Sequence, residues 1–210
     1  ITLTTVADVS ESNAKGSINN LKKRHPEKVG EPTVFVGIDA YKKVIAESDV
    51  VILTTPPGFR PMMLREAVEA GKHVFCEKPL ASTEDEAFQI WDKVSETGVI
   101  QMCAFMYRSI PALNLAREMI QSGEIGEVRH FRSRFLLNML TEDGNLSWRF
   151  SKSQAGLGAM GDLGSHHVDQ ARFLVGELVR VGALTKTWST DKQKKILDVN
   201  DDAFVCIAEF

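Results

Sequence analysis

Hydrophobic and polar positions follow two textures along this chain. In the first 105 residues, apolar runs of strand length alternate with amphipathic stretches of helical period. Residues 1–8 read as a strand ending at Asp8, and residues 11–25 as a helix stopped by Pro26. A strand at 32–37 precedes a helix at 39–48, opened by Asp39 as N-cap. "DVVILTT" (49–55) is a continuous apolar run, the pattern of a strand buried on both faces. "PPGF" then turns the chain into a helix at 60–70 that stops at Gly71, and "KHVFCE" (72–77) is the next strand. "STEDEAFQIWDKVSETG" predicts a helix with Ser82 or Thr83 as cap, acids in its first turn and Gly98 as its stop. "VIQMCAF" (99–105) is another buried strand.

Five strand–helix alternations predict an α/β fold with a parallel sheet and helices on both faces. After Phe105 the texture changes. A helix at 111–122 ends at Gly123, and "EVRHFRSRFLLNML" (127–140) alternates as a long strand. "VRVGALTKTWS" (179–189) and "DDAFVCIAEF" (201–210) are also strand-like. Long amphipathic strands around a helix predict an open, mostly antiparallel sheet with one solvated or interface face. The expected domains are therefore 1–105 and 106–210.

Between those strands lies Gly156-Leu-Gly158-Ala-Met-Gly161, which spells the G-x-G-x-x-G of a dinucleotide loop. That pattern has meaning only after a strand and before a helix. Here it follows "SWRFSKSQA", which is polar and loop-like, so it reads as a glycine-rich lead-in to a helix. Better nucleotide candidates stand in the first half. An acid at the end of a Rossmann unit's second strand holds the adenosine ribose, and Asp8 ends such a strand, although it could equally cap the next helix. Thr54, Thr55, Pro56 and Pro57 end a buried strand in a stiff turn, and Glu77 and Lys78 end the next one. Ligands of open α/β sheets bind beyond the strands' carboxyl ends.

Composition narrows the class. With 25 Lys plus Arg against 28 Asp plus Glu, the net charge of −3 offers no footprint for nucleic acid or an anionic membrane. Lys22-Lys23-Arg24 and Lys192–Lys195 are short clusters that read as solvated surface. No apolar run nears the ~18 residues a membrane span needs. Three cysteines without a C-x-x-C, set in apolar stretches, read as reduced, buried thiols of a cytoplasmic protein.

"AVEAGKHVFCEKPLA" followed by "GAMGDLGSHHVDQARFLVG", with "WRF" between, resembles the glucose-fructose oxidoreductase/inositol dehydrogenase/MocA family over nearly the whole chain. The resemblance implies a Rossmann-like doubly wound sheet, then an α+β domain with a large antiparallel sheet. It implies an NAD(P)-dependent oxidoreductase moving a hydride to or from a hydroxyl-bearing carbon of a sugar, cyclitol or related polyol. One departure stands out. The family's glycine loop follows its first strand, whereas this sequence opens at the second. A partial chain is therefore expected, with further sheet after Phe210, and the flanking strands lack a shared neighbour.

Hydride transfer from an alcohol needs a base for the hydroxyl proton and a charge to steady the developing alkoxide. Asp162 and His166, at i and i+4, lie about 40° apart on a helix, and Asp169 shares their face while His167 points away by about 140°. The family pattern selects Lys78 of E-K-P with Asp162 and His166 of D-x-G-x-H. In this reading His166 takes the proton. Asp162 orients the imidazole or the hydroxyl, and Lys78, fixed by a Pro79 expected to be cis after its strand-end turn, supplies the cation. A metal held by Asp162, His166 and Asp169 is the weaker alternative, because nothing completes a ligand set.

Tyr107, Arg108, Trp148 and Arg149, with Asp162 and His166, are the expected substrate contacts. Asp8 accepts ribose hydroxyls and repels a 2'-phosphate, and no Arg or Lys stands at residues 9–12, so NAD is expected with NADP possible. An NAD-dependent glycoside hydrolase and a silent NAD-binding sensor remain as alternatives. A homodimer or homotetramer through the second domain's sheet is the partner state the family implies.

Overall fold

The computed structural model describes residues 2–138, 148–188 and 198–210, and of Trp148 and Gln154 the backbone. The strand ends expected at 1, 139–140 and 189, Ser147 and the 192–195 lysine cluster lie outside the described residues. The chain divides into two compact units. The first comprises Ile1–Thr55, Phe59–Cys76 and Asp85–Met102; the second comprises Pro56–Gly58, Glu77–Glu84 and Cys103–Phe210.

In the first unit, strand and helix alternate as β1 (Thr5–Asp8), α1 (Glu11–Arg24), β2 (Thr33–Val36), α2 (Ala40–Glu47) and β3 (Val50–Leu53). They continue as α3 (Arg60–Glu69), β4 (His73–Cys76), α4 (Glu84–Ser95) and β5 (Gln101–Cys103). A 3-10 turn, Pro57–Phe59, introduces α3. The strands form two ladders, β1–β2 and β3–β4–β5. β1 pairs with β2 in parallel from Thr5↔Thr33 to Asp8↔Val36, and β3 pairs with β4 in parallel from Val50↔His73 to Leu53↔Cys76. Among the described residues the expected parallel sheet is thus seen as two separate ladders.

The core of this unit lies between the sheet and α3. Val51, Leu53, Val74 and Cys76 are buried, as are Leu64, Ala67 and Val68 of the helix. Burial on both faces of β3 is not what the structure shows. Val51 and Leu53 are buried, whereas Val50 is 43% and Ile52 60% exposed. Successive side chains of a strand point to opposite faces, and only one face of β3 is covered among the described residues. Asp39 takes the N-cap position of α2 as expected, but its side chain makes no capping bond and pairs with Lys42 at 3.1 Å instead. On α2, Tyr41 donates its hydroxyl to Glu66 of α3 at 2.6 Å; burial and that carboxylate push the phenol up to about 12.

The second unit holds α5 (Pro111–Gln121), α6 (Lys152–Ala155), α7 (Ser165–Leu174), β6 (Arg180–Lys186) and β7 (Ala203–Glu209). Three further turns belong to it: 3-10 turns at Met106–Ser109 and Trp148–Phe150, and a π-turn at Met160–Gly164 that runs into α7. β6 and β7 pair antiparallel from Arg180↔Glu209 to Lys186↔Ala203. The burial expected of the cysteines is met by Cys76 but not by Cys206 of β7, which is exposed. The stretch read as a polar loop before the glycines is instead a 3-10 turn followed by α6, with Ser151 bridged to Val199.

The strand expected over 127–140 is corrected as well. Residues 127–138 join no ladder among the described residues. Their alternation nevertheless survives as a period-2 pattern of contacts. Phe131 meets Phe210 edge-on, Ser133 bonds His167, and Phe135 meets His167 edge-on. Period 2 reports which side chains share a face; a ladder further needs a hydrogen-bonded neighbour.

Candidate active site

The site is built within the second unit, on the turn after β4 and on the π-turn leading into α7. After β4 the chain runs Glu77-Lys78-Pro79, and the Lys78–Pro79 peptide is cis. Lys78 is largely buried and reaches the π-turn. Its ammonium donates to Asp162 Oδ1 at 2.5 Å and to the Asp162 carbonyl at 2.8 Å. Asp162 therefore sits inside a π-turn and not on the regular α-helical face that the i, i+4 spacing assumed. Such turns occur at functional sites, where they redirect a side chain.

One turn on, His166 is 7% exposed. Tyr107 packs edge-on against it at 4.9 Å between ring centres, and Phe105 does so at 6.2 Å. Its Nδ1 is buried without a hydrogen-bond partner among the described residues. Burial is the main force lowering its pKa, and the Lys78 ammonium adds to it, against smaller opposing pulls from Asp162 and Asp169. The imidazole is thus neutral near pH 7 and able to take a proton. His167 faces elsewhere: Nδ1 meets Ser133 Oγ at 2.6 Å, and burial lowers its pKa too.

Asp169 is buried and committed. Arg108 donates through Nε to both its oxygens at 2.9 and 3.0 Å and through Nη2 to Oδ1 at 2.7 Å. That guanidinium also lies 5.3 Å from the Phe173 ring centre. The sequence reading placed Arg108 on substrate and Asp169 beside Asp162. The structure joins Arg108 to Asp169 and Lys78 to Asp162, so each carboxylate already has a cation. Tyr107 is brought to His166. The backbone of Trp148 opens the 3-10 turn that carries exposed Arg149.

The cofactor candidates in the first unit lie at carboxyl ends of parallel strands. Asp8 ends β1, and its Oδ1 accepts Ser10 N–H at 2.8 Å and the Asn13 amide at 3.4 Å. Thr54 and Thr55 follow β3; Thr54 is exposed, and the Thr55 hydroxyl is buried without a partner among the described residues. In the second unit Pro57 is buried beside Pro56, and Glu77 accepts the Lys78 N–H at 3.2 Å.

The glycine run proves to be a packing device. Gly156 has a φ of 76°, and a Cβ there would press on Ser82 at 2.7 Å. A Cβ on Gly158 would strike Asp201, and one on Gly161 would strike Leu157. Close approach explains all three glycines. The sequence reading missed the part played by Ser82 and Asp201. A weak signal existed for the latter: "DVND" (198–201) is rich in helix-capping residues but precedes a strand, so its capping groups had to serve a distant helix.

Comparison with known proteins bears on the same two halves. Residues 3–105 match the family model described as oxidoreductase family, NAD-binding Rossmann fold, and residues 113–210 match the GFO/IDH/MocA C-terminal domain. The chain belongs to the GFO/IDH/MocA oxidoreductase family. It is 41% identical over 155 residues to a levoglucosan dehydrogenase of Pseudarthrobacter phenanthrenivorans, a match covering 72% of this chain and 40% of that protein. It is 34% identical over 161 residues to D-xylose 1-dehydrogenase (NADP(+)) 2 of Haloferax volcanii, covering 76% and 47%. A solved levoglucosan dehydrogenase in complex with NADH and levoglucosan superposes with a TM-score of 0.84 at 33% identity, over 100% of this chain and 55% of that one. The chain spans about half the length of the curated relatives it matches. As a family member it has a Rossmann NAD-binding domain and a C-terminal domain bearing an antiparallel sheet.

Proposed function

We propose that this GFO/IDH/MocA chain serves an NAD(P)-dependent oxidoreductase that moves a hydride to or from a hydroxyl-bearing carbon of a sugar, cyclitol or related polyol. The observation that carries the reading is the Lys78–Asp162 pair, 2.5 Å apart, beside a buried neutral His166. The relatives' names, levoglucosan and D-xylose dehydrogenases, support the substrate class. When bound, the nicotinamide supplies the hydride acceptor. The chain's residues handle the proton and the charge. His166 accepts the hydroxyl proton, the Lys78 ammonium stabilises the oxygen as it becomes negative, and Asp162 holds that ammonium in place.

The first unit has groups suited to the cofactor. The orphaned Thr55 hydroxyl, buried at the carboxyl end of β3, would hold a polar group of the dinucleotide, and the carboxylate of Asp8 would hold its ribose. Asp8 without a following cation favours NAD over NADP. Tyr107, against His166, lines the substrate position, and Trp148, Arg149 and the remaining donors of Arg108 complete the contacts. No described helix is long and apolar enough to cross a membrane. The protein works in the cytoplasm as a homodimer or homotetramer. Phe204 faces the π-turn at Gly164, so Val205 and Ile207, with Leu184 opposite Val205, point the other way. Those three are 63%, 80% and 74% exposed and supply the apolar face.

A panel of polyols and aldoses with NAD and with NADP, read by reduced-nicotinamide absorbance, tests the reading. Reduction of NAD with a free polyol or aldose is expected. Aglycone release from glycosides with no net NADH would replace this reading by the hydrolase, and preferential use of NADP would overturn the cofactor assignment.

A further inference from the structure

The segment that carries Asp162 and His166 has no cap of its own. Ala159 at its start makes no side-chain capping bond, and position 158 is a glycine. A helix leaves its first four N–H groups without intrahelical partners. Two of them are answered from far along the chain by Asp201. Its carbonyl accepts Ala159 N–H at 2.8 Å, and its Oδ2 accepts Met160 N–H at 2.8 Å. Gly158 makes the approach possible, since a Cβ there would overlap both the carbonyl and the carboxylate of Asp201. The acid also sets a negative charge at the positive end of the helical segment.

Three residues beyond Asp201, Phe204 packs on Gly164, where a Cβ would lie 3.2 Å from its ring. One short stretch therefore clamps the π-turn at both ends. Asp162 lies between the clamps, and its carbonyl and carboxylate both receive Lys78.

We propose that Asp201 is a positioning residue of the active site. By capping Ala159 and Met160 it sets the π-turn so that Asp162 meets the Lys78 ammonium. The kinetic part of this proposal rests on the oxidoreductase reading; the geometric part does not. Misplacing a reacting group by about an ångström costs on the order of 100-fold in rate.

Asp198 supplies the comparison that separates positioning from plain stability. It caps α6 in the same manner, its Oδ2 accepting Ser153 N–H at 2.7 Å and its Oδ1 accepting Ser151 Oγ–H at 3.2 Å. That helix carries neither Asp162 nor His166.

The test uses Asp201→Ala, Asp201→Asn and Asp198→Ala in the full chain. Lys78 reactivity toward an amine-directed acylating reagent is measured by mass spectrometry, beside kcat, KM and the unfolding temperature. Asp201→Ala deletes the carboxylate bond to Met160 and keeps the main-chain bond to Ala159; in it Lys78 should label several-fold faster and kcat should fall about 10- to 100-fold, with KM for the nicotinamide unchanged. Asp201→Asn should return both to within about threefold, because the asparagine oxygen accepts the same N–H. Asp198→Ala should lower the unfolding temperature but leave Lys78 labelling and kcat as in the parent. The proposal is overturned by parental Lys78 labelling in Asp201→Ala, or by equal changes in Asp198→Ala. Should Asp201→Ala fail to fold, Gly158→Ala decides, since it should displace Asp201 and speed Lys78 labelling, and parental labelling there overturns the proposal. Faster labelling in a protein that turns over no polyol would keep the positioning and remove the oxidoreductase reading.

Discussion

Two ion pairs branch from one helical segment, seven residues apart, and they are built differently. At Asp169 the carboxylate is almost wholly buried and gripped side-on by a planar guanidinium through three hydrogen bonds. At Asp162 the carboxylate is 37% exposed and meets a single ammonium. A fork-shaped pair fixes orientation, whereas a lysine is a point charge with rotatable donors that can turn toward a new oxygen. The first arrangement suits a clamp and the second suits chemistry. Equal charges on one helix therefore carry different duties, set by burial and by the shape of the partner.

The contrast is broken most severely at Lys78. Lys78→Ala should lower turnover about 100- to 1000-fold, the loss of one preorganised donor costing about 3–4 kcal/mol of barrier, while the unfolding temperature moves little. Turnover at the parental rate would remove the lysine from the mechanism.

Asp169→Ala should show the reverse pattern. Leaving Arg108 without its partner should cost the low end of about 3–5 kcal/mol of stability, low because that arginine is 42% exposed. Denaturant titration measures this, and kcat per folded molecule should stay near parental, the loosened Arg108 being read in a raised KM for the polyol. A large loss of turnover with unchanged stability would erase the distinction between the pairs.

A pH series sharpens it further. The pKa values of His166 and His167 are both lowered in the fold, so the unfolded chain binds protons first as pH falls. Their contribution to stability is intact above the ordinary histidine value of about 6.5 and is lost as pH drops below it toward the folded values. Unfolding temperature should therefore fall between about pH 7.5 and 5.5, less steeply in His167→Phe. A flat profile would mean the rings stay hydrated. The smallest effect belongs to an exposed pair. Glu11 and Lys15 stand 2.6 Å apart with both side chains in solvent, and Lys15→Ala should leave the thermal melt unchanged.

Local pattern made the alternating elements legible, since each rests on a period and a stop signal within its own residues. Ala14 and Ile18 of α1 are buried four residues apart, and Gly71 and Gly123 turn the chain with positive φ just past their helices. Context also exposed the false nucleotide loop at 156–161, because a polar segment preceded it. What stayed hidden depends on partners distant in sequence. Nothing near Val50 and Ile52 told that one face of β3 would be uncovered, and nothing near 127–138 told that it would find no ladder among the described residues. Spacing assumed a regular helix under Asp162 and His166, whereas Asp162 stands in a π-turn whose first N–H groups bond Asp201, some forty residues later. The pairing of Arg108 with Asp169 was missed for the same reason: the two stand far apart in sequence, and nothing beside either one points to the other.

The hold of Lys78 on a main-chain carbonyl has a consequence for anyone redesigning this pocket. A backbone oxygen survives every substitution at its residue, so exchanging Asp162 for another side chain changes the pocket's charge and loosens the ammonium while the carbonyl still holds it. Position 162 is thus a tuning knob, and position 78 is closer to an on–off switch.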